Sequence, residues 1–290
     1  MRKIISSVLS VAILCSALAF AGCSSEVDGV TSTANTSKTD SVTASANLSG
    51  KLTLNGSTSM TKVCQSLGEA FQAKYPGVTV EKSGTGSGDA AKAVSSGTAL
   101  IGDLSRNLKS EEKPEDFQIV QIAVDGIAIA VNKSNPVTKL TSDQIAKIFT
   151  GEVTNWKQVG GNDQKITVLG REAASGTRDG FESIFKVSNK CKYGAELSST
   201  GEVVTKVGSD PGAVGYISLD SVNDSVTAVD IDGVKATEEN IINKTYKAQR
   251  PFIEIYKKGS DSDLIKAWFA FIKSDEGQAV VKKAGLVTVK

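Results

Sequence analysis

One pattern recurs along this chain and narrows the folds open to it. A short run of alternating apolar residues meets a loop of Gly, Ser and Thr, and apolar residues then return at spacings of three and four. Leu52-Thr53-Leu54 runs into Asn55-Gly56-Ser57-Thr58-Ser59, and Met60, Val63, Cys64, Leu67, Phe71 and Tyr75 follow at helical spacing. Val78 and Val80 lead to Gly84-Thr85-Gly86-Ser87-Gly88 and a helix carrying Ala90, Ala91 and Val94. Leu100-Ile101-Gly102 begins a third strand, which ends in Asp103-Leu104-Ser105-Arg106. Ile166-Thr167-Val168-Leu169 feeds Gly170-Arg171-Glu172-Ala173-Ala174-Ser175-Gly176-Thr177 and a helix with Phe181, Ile184 and Phe185. Strands alternating with helices predict an α/β fold with a mostly parallel sheet, its ligands outside the carboxyl ends of the strands. No repeat of fixed period accompanies the pattern.

Between these units, residues 120–124 alternate as a strand and reach Asp125-Gly126. Residues 127–131 are almost wholly apolar and read as a second, separate strand buried on both faces. Ile145, Ile148 and Phe149 mark a helix after Leu140, followed by Thr154-Asn155-Trp156. Pro251-Phe252-Ile253-Glu254-Ile255-Tyr256 is a strand, and Leu264, Ile265, Trp268, Phe269 and Ile272 mark a last helix. A patterned region of about 240 residues suits two lobes better than one compact unit.

The amino terminus has a different character. Arg2 and Lys3 precede an apolar run over residues 4–20, interrupted by Ser6, Ser7, Ser10 and Ser16. That is the shape of a secretory signal peptide, too short and too Ser-interrupted for a transmembrane helix of about 20 apolar residues. Phe20-Ala21-Gly22-Cys23 resembles a bacterial lipobox, with Phe20 where Leu is usual. Residues 1–22 are therefore expected to be a lipoprotein signal peptide and Cys23 the lipidated (palmitate-type) residue, giving an extracytoplasmic protein anchored to the cell membrane. Ordinary signal-peptidase cleavage near Ala19 or Ala21 is the alternative. Eleven of the twenty-five residues 24–48 are Ser or Thr. Such a stretch buries too little apolar surface to offset its ordering entropy, so residues 23–49 read as a tether, roughly 25–30 Å across as a flexible coil. No later apolar run approaches membrane-spanning length. Cys15 leaves with the signal peptide. Cys64 and Cys191 either pair, as export permits, or Cys64 serves as a small buried hydrophobe on its helix.

Composition excludes several chemistries. There is no histidine, hence no His-dependent nucleophile and no His-ligated metal or haem. The chain holds 33 Lys+Arg against 32 Asp+Glu. Loss of residues 1–22 removes only Arg2 and Lys3, which turns the formal charge from +1 to −1. A nucleic-acid binder normally carries a basic excess, so nucleic acid is not expected as a partner.

The small-polar loops have an obvious chemical use. Free N–H groups at a helix N-terminus, with hydroxyls beside them, make an anion site. Ser57-Thr58-Ser59, Gly86-Ser87-Gly88 and Ser175-Gly176-Thr177 all qualify, and plain helix capping by the same residues is the competing reading. Arg171 strengthens the third, because a guanidinium makes bidentate charge-assisted bonds to a tetrahedral oxyanion. A Walker A loop is absent, and Asp89 stands where a dinucleotide fingerprint needs its third glycine. Ser110 and Lys113 make a formal S-x-x-K in a charged, Pro-containing loop, a chance match.

Taken in order, Gly56-Ser57-Thr58-Ser59, the Gly84 loop, the segment 101–106, Asp125-Gly126, Thr154-Asn155-Trp156, R-x-x-x-S-G-T from Arg171 to Thr177 and Gly215-Tyr216 resemble the phosphate-binding proteins of bacterial phosphate-specific (Pst) ABC transporters. The resemblance implies a two-lobed periplasmic-binding-protein fold of type II, each lobe a mixed, mostly parallel sheet flanked by helices. Two hinge crossings would join lobe 1 (residues 50–126 and 250–290) to lobe 2 (residues 127–249). It also implies a monomer that binds inorganic phosphate and delivers it to a membrane permease, with no catalysis, cofactor or metal. Thr58, Ser59 and Ser87 would offer hydroxyl and N–H groups from the first lobe, and Arg171, Ser175, Gly176 and Thr177 would close from the second. Some members place an Asp in the loop after the third strand to accept the phosphate proton; the aligned position here is Ser105. Asp125 is the favoured acceptor in its place, and Asp103 the alternative. A carboxylate there rewards a protonated oxyanion and repels sulfate, and a site built around a ligand hydroxyl can discriminate by about 10⁴–10⁵. A binding protein for sulfate or molybdate, or an exported phosphohydrolase using Arg171 and a serine, are the rival functions.

Overall fold

The computed structural model describes residues 48–289. The expected signal peptide, Cys23 and nearly all of the tether lie outside the described residues.

The chain enters as β1 (Ser49–Gly56), passes a 3-10 turn (Thr58–Met60) and continues as α1 (Thr61–Lys74), β2 (Gly77–Gly84), α2 (Ser87–Ser95) and β3 (Ile101–Leu104). The long β4 (Phe117–Asn132) is followed by β5 (Lys139–Leu140), α3 (Ser142–Phe149), β6 (Thr167–Arg171), α4 (Gly176–Ile184), β7 (Ala195–Leu197), α5 (Thr200–Ser209) and β8 (Ala213–Ser218). Then come β9 (Val226–Ala228), β10 (Asp230–Ile231), α6 (Glu238–Ile242), β11 (Gln249–Lys257), α7 (Asp263–Lys273), α8 (Asp275–Lys283) and β12 (Val287–Thr288).

The strands of the main sheet run β2-β1-β3-β11-β4-β8-β6-β7, and β5 and β10 form a separate pair. The βα units pair in parallel, β1 with β2 and β3, β6 with β7 and β8. Only the long strands β4 and β11 bring antiparallel pairing into the middle of the sheet. Each half carries helices on both faces. Leu52, Leu54, Leu67, Phe71 and Phe252 pack with Trp268 and Phe271 on one side of the first half, with Phe71 edge-on to Trp268 at 5.2 Å. Ala90, Val94, Leu104 and Ile255 cover its other side. In the second half Ile127, Ile129, Phe149, Trp156, Phe181 and Tyr216 form the larger core, with Phe181 stacked on Tyr216 at 4.2 Å, and Ala128, Ala130, Val203 and Val207 the smaller. Fully burying one such large side chain stabilises the fold by about 1.5–3 kcal/mol, which is why both halves are dense with aromatics despite the chain's low aromatic content.

The structure corrects the reading of residues 117–132 as two strands separated at Asp125-Gly126. They form one continuous strand of 16 residues, whose first part pairs with β11 and β12 and whose last part pairs with β8 and β9. Asp125 looks like a turn residue, yet it lies directly opposite Arg250 in the β4–β11 register, and its charge is met there. A carboxylate neutralised inside a ladder has no need of a solvent-exposed turn. At about 3.3 Å per residue, such a strand is long enough to serve both halves.

Cys64 and Cys191 are both free, Cys64 buried and Cys191 half-buried, so the buried-hydrophobe reading of Cys64 holds and the disulfide between them does not.

Candidate functional site

The carboxyl ends of β1, β2, β3 and β6 converge, as the strand-to-helix pattern predicts. Ser57 to Ser59 follow β1, Ser87 opens α2 after β2, Ser105 follows β3, and Ser175 to Thr177 open α4 after β6. The loop after β1 is held from behind: the Ser57 amide donates to the Asp103 carbonyl at 2.8 Å, and the Thr85 and Gly86 amides donate to the Gly56 carbonyl. Gly86 has φ +97°, and a Cβ there would lie 2.9 Å from the Ala174 carbonyl oxygen. Glycine is therefore required where the first half meets the second, and the Gly88 amide completes the contact on the Ala174 carbonyl at 2.9 Å.

Four buried serines form a string across this junction. Ser59 Oγ is 2.9 Å from Ser57 Oγ, which donates to Ser105 Oγ at 2.9 Å, and Ser105 Oγ is 3.3 Å from Ser87 Oγ. The string ends against the start of α4, since a Cβ on Gly176 would stand 2.4 Å from Ser87 Oγ and 2.6 Å from Ser105 Oγ. The capping alternative is thereby sorted. Neither Ser57 nor any residue at the start of α1 or α2 makes a side-chain cap. Ser175 does cap α4, accepting from the Arg178 amide at 3.2 Å. Capping thus accounts for the third cluster and leaves the hydroxyls of Ser57, Ser59 and Ser87 in the interior, joined through Ser105. Thr177 is buried in the first turn of α4.

Arg171 is 1% exposed at the end of β6. It donates through Nη1 to Thr200 Oγ1 at 3.1 Å and through Nη2 to Thr58 Oγ1 at 3.1 Å. Nη2 also reaches Glu172 Oε1 at 2.8 Å and the Ser198 carbonyl, and Nε reaches the Leu197 carbonyl. The Thr200 amide donates to Thr58 Oγ1 at 3.2 Å, so the start of α5 joins the same constellation. Thr200 was missing from the residues read from sequence, although Ser198-Ser199-Thr200-Gly201 ahead of Val203, Val204 and Val207 carries the same loop-to-helix signal as the others. Arg250 was missing too, and it has no local signal: pairing across β4 and β11 brings it in, where Nη2 donates to Ser59 Oγ at 3.2 Å.

The two candidate carboxylates lie behind this surface. Asp125 Oδ1 accepts from Ser218 at 2.7 Å, while Oδ2 accepts from Arg250 Nε and Nη2 at 2.9 and 2.8 Å. Burial pushes the Asp125 carboxyl up to about 6, against the opposing pull of the Arg250 guanidinium. Asp125 thus reaches the serine string through Arg250, rather than by its own oxygens. Asp103 turns its side chain to the far face of β3, where Lys82 Nζ stands 3.1 Å from Oδ2, outside hydrogen-bond geometry. Burial raises the Asp103 carboxyl and holds that of Glu254 well above the ordinary range. Cys64, Asp103 and Glu254 are the one group among the described residues with metal-ligand chemistry, their ligand atoms lying within 4.8 Å of one another. The Lys82 ammonium already supplies positive charge to that group.

The sequence matches the PBP superfamily domain over residues 41–276. It is 33% identical over 245 residues to the phosphate-binding protein PstS of Bacillus subtilis (strain 168), covering 83% of this chain and 81% of that one. Among solved structures, a candidate phosphate ABC transporter substrate-binding protein of Clostridium perfringens with bound phosphate superposes with a TM-score of 0.80 at 43% identity, over 83% of this chain and all of that one. An ABC-type phosphate transport receptor of Vibrio cholerae gives a TM-score of 0.68 at 36% identity, over 82% of this chain and all of that one. The fold is the two-lobed type II binding-protein fold that the loop motifs implied, and the chain belongs to the PBP superfamily and, within it, to the PstS phosphate-binding proteins.

Proposed function

We propose that this protein binds inorganic phosphate between its two lobes, outside the cytoplasmic membrane, and delivers it to the permease of an ABC importer. The observation that carries the reading is the string of buried hydroxyls meeting the first turn of α4, with the Arg171 guanidinium held beside it. Hydroxyls donate and accept, guanidinium N–H groups donate in a planar fork, and a helix N-terminus adds free amides. A tetrahedral oxyanion carrying one proton matches that mixture. The binding residues are Thr58, Ser59, Ser87 and Ser105 from lobe 1 and Arg171, Ser175, Gly176 and Thr177 from lobe 2, with Thr200 orienting Arg171. Ser105 takes the part of the proton acceptor, since a hydroxyl oxygen can accept from the anion while donating elsewhere.

Lobe 1 comprises residues 50–126 and 250–290 and lobe 2 residues 127–249, the crossings being β4 and the entry to β11. Contacts that span them support closure of one lobe on the other: Arg106 Nε to Asp179 Oδ2 at 2.7 Å, Lys62 Nζ to the Asp220 carbonyl at 2.8 Å, and the Gly88 amide to Ala174. Closure around a ligand is the usual means by which such folds sequester it. The membrane anchor is assigned to a lipid on Cys23. No described helix is long and apolar enough to cross a membrane, and a Cys23→Ala variant that still takes up labelled fatty acid in cells would exclude that anchor.

Equilibrium dialysis against phosphate, arsenate and sulfate tests the function. Phosphate and arsenate are expected to bind, and sulfate at least tenfold more weakly. Equal retention of sulfate would shift the reading to a general oxyanion carrier, which the turned-away carboxylates of Asp103 and Asp125 make the natural second reading.

A further inference from the structure

Arg250 is 4% exposed, and its Nη1 is buried without any hydrogen-bond partner. The rest of the guanidinium is fully engaged. The edge carrying Nε and Nη2 clasps Asp125 Oδ2 at 2.9 and 2.8 Å, and the remaining Nη2 hydrogen points to Ser59 Oγ at 3.2 Å. A guanidinium is planar, so the Nη1 hydrogen beside that one faces the same way, alongside the Ser59 hydroxyl. The stem of Arg250 approaches α4 from the other side: a Cβ on Gly180, one turn beyond Gly176, would lie 3.6 Å from Arg250 Cδ. The free donor therefore sits between the loop after β1 and the helix whose N-terminus meets Ser87 and Ser105. An unpaired buried N–H is costly unless a ligand or water satisfies it.

Building on the phosphate reading above, we propose that Arg250 is a second guanidinium of the binding site, its Nη1 donating to an oxygen of the bound tetrahedral oxyanion beside Ser59. Asp125 is then a positioning residue: it takes two of the five N–H groups and aims the others at the anion. This assigns a role to the one carboxylate that lies opposite Arg250 on the crossing strands, and it places a ligand contact on β11, where closure of the lobes turns. A single-charge Lys at this position satisfies Asp125 but cannot also present a donor at Nη1.

The test is calorimetric titration of inorganic phosphate into the full-length protein and its Arg250→Lys variant, with thermal melts of both before addition of phosphate. Arg250→Lys is expected to bind phosphate at least tenfold more weakly. If that variant does not fold, the double variant Asp125→Asn/Arg250→Met, which removes both buried charges, is expected to show the same loss. A structural role would leave Nη hydrogens indifferent to ligand, so the second readout is ¹⁵N NMR of the arginine side chains: phosphate should slow exchange of the Arg250 Nη hydrogens. Affinity within twofold of wild type in whichever variant folds, or Arg250 signals unmoved by saturating phosphate, overturns the proposal. Wild-type protein that does not bind phosphate overturns the functional reading instead, so the two failures are distinguishable.

Discussion

Two buried polar clusters lie back to back across β3, and they differ in kind. The one facing the lobes is rich in donors: the hydroxyls of Ser57, Ser59, Ser87 and Ser105, the first turns of α4 and α5, and the Arg171 and Arg250 guanidinium groups, held from behind by Glu172 and Asp125. The one facing α1 and α7 consists mainly of acids, Asp103 and Glu254, with the Cys64 thiol and the Lys82 ammonium beside them. Trp268 Nε1 donates to Glu254 Oε2 at 2.6 Å and fixes it. The Asp103 residue belongs to both, its carbonyl holding Ser57 and its carboxyl facing the core. Donor-rich burial suits an incoming anion. Acid-rich burial suits retention of a proton, because desolvation disfavours the ionised form.

The largest effect expected from this contrast is at Arg171. Each charge-assisted hydrogen bond is worth about 1.5–3 kcal/mol, so Arg171→Ala should weaken phosphate binding by roughly 10- to 100-fold. Unchanged affinity by calorimetry would remove Arg171 from the site. Next is the acid cluster, where the expected effect is on stability and not on binding. The folded state holds a proton that unfolded Glu254 and Asp103 release above their ordinary carboxylate range, so stability should fall as pH rises from about 5 upward. Glu254→Gln should reduce that slope, with Asp103 and Asp125 supplying the remainder, and leave phosphate affinity where it was. A denaturant series at pH 5 and pH 8 gives the slope, and a slope shared by variant and wild type contradicts the assignment.

Smaller effects belong to single hydroxyls. Ser105→Ala removes one neutral hydrogen bond, worth about 0.5–1.5 kcal/mol, and should cost roughly two- to tenfold in phosphate affinity. It should also narrow the preference for phosphate over sulfate, since Ser105 is the acceptor in this account; competition dialysis reads that ratio. Thr200→Val should cost least, because Thr200 acts by orienting Arg171 and the other bonds of the guanidinium remain. A loss as large as that of Arg171→Ala would mean Thr200 contacts the anion itself.

The donor cluster was largely legible from sequence, and the reason is physical. Ser57 to Ser59, Ser87, Arg171 and Ser175 to Thr177 all sit where a strand hands over to a helix, so local pattern and the proposed ligand position coincide. The acid cluster was not legible. Cys64, Lys82, Asp103 and Glu254 come from α1, β2, β3 and β11, and each alone looks like an ordinary helix or strand residue. Arg250 and the unbroken β4 share this cause. A charge inside an apolar strand reads as a turn until its partner, 125 residues away, is placed opposite it. Tertiary pairing decides such positions, and no local window contains it.

Parallel phosphate titrations of wild type, Arg171→Ala and Glu254→Gln, by calorimetry at one pH near neutrality, set the two clusters against each other most directly. Single-site binding in wild type and Glu254→Gln with affinities within a factor of two, and at least tenfold weaker binding in Arg171→Ala, is the predicted result. Loss of binding in Glu254→Gln with Arg171→Ala unaffected would contradict it.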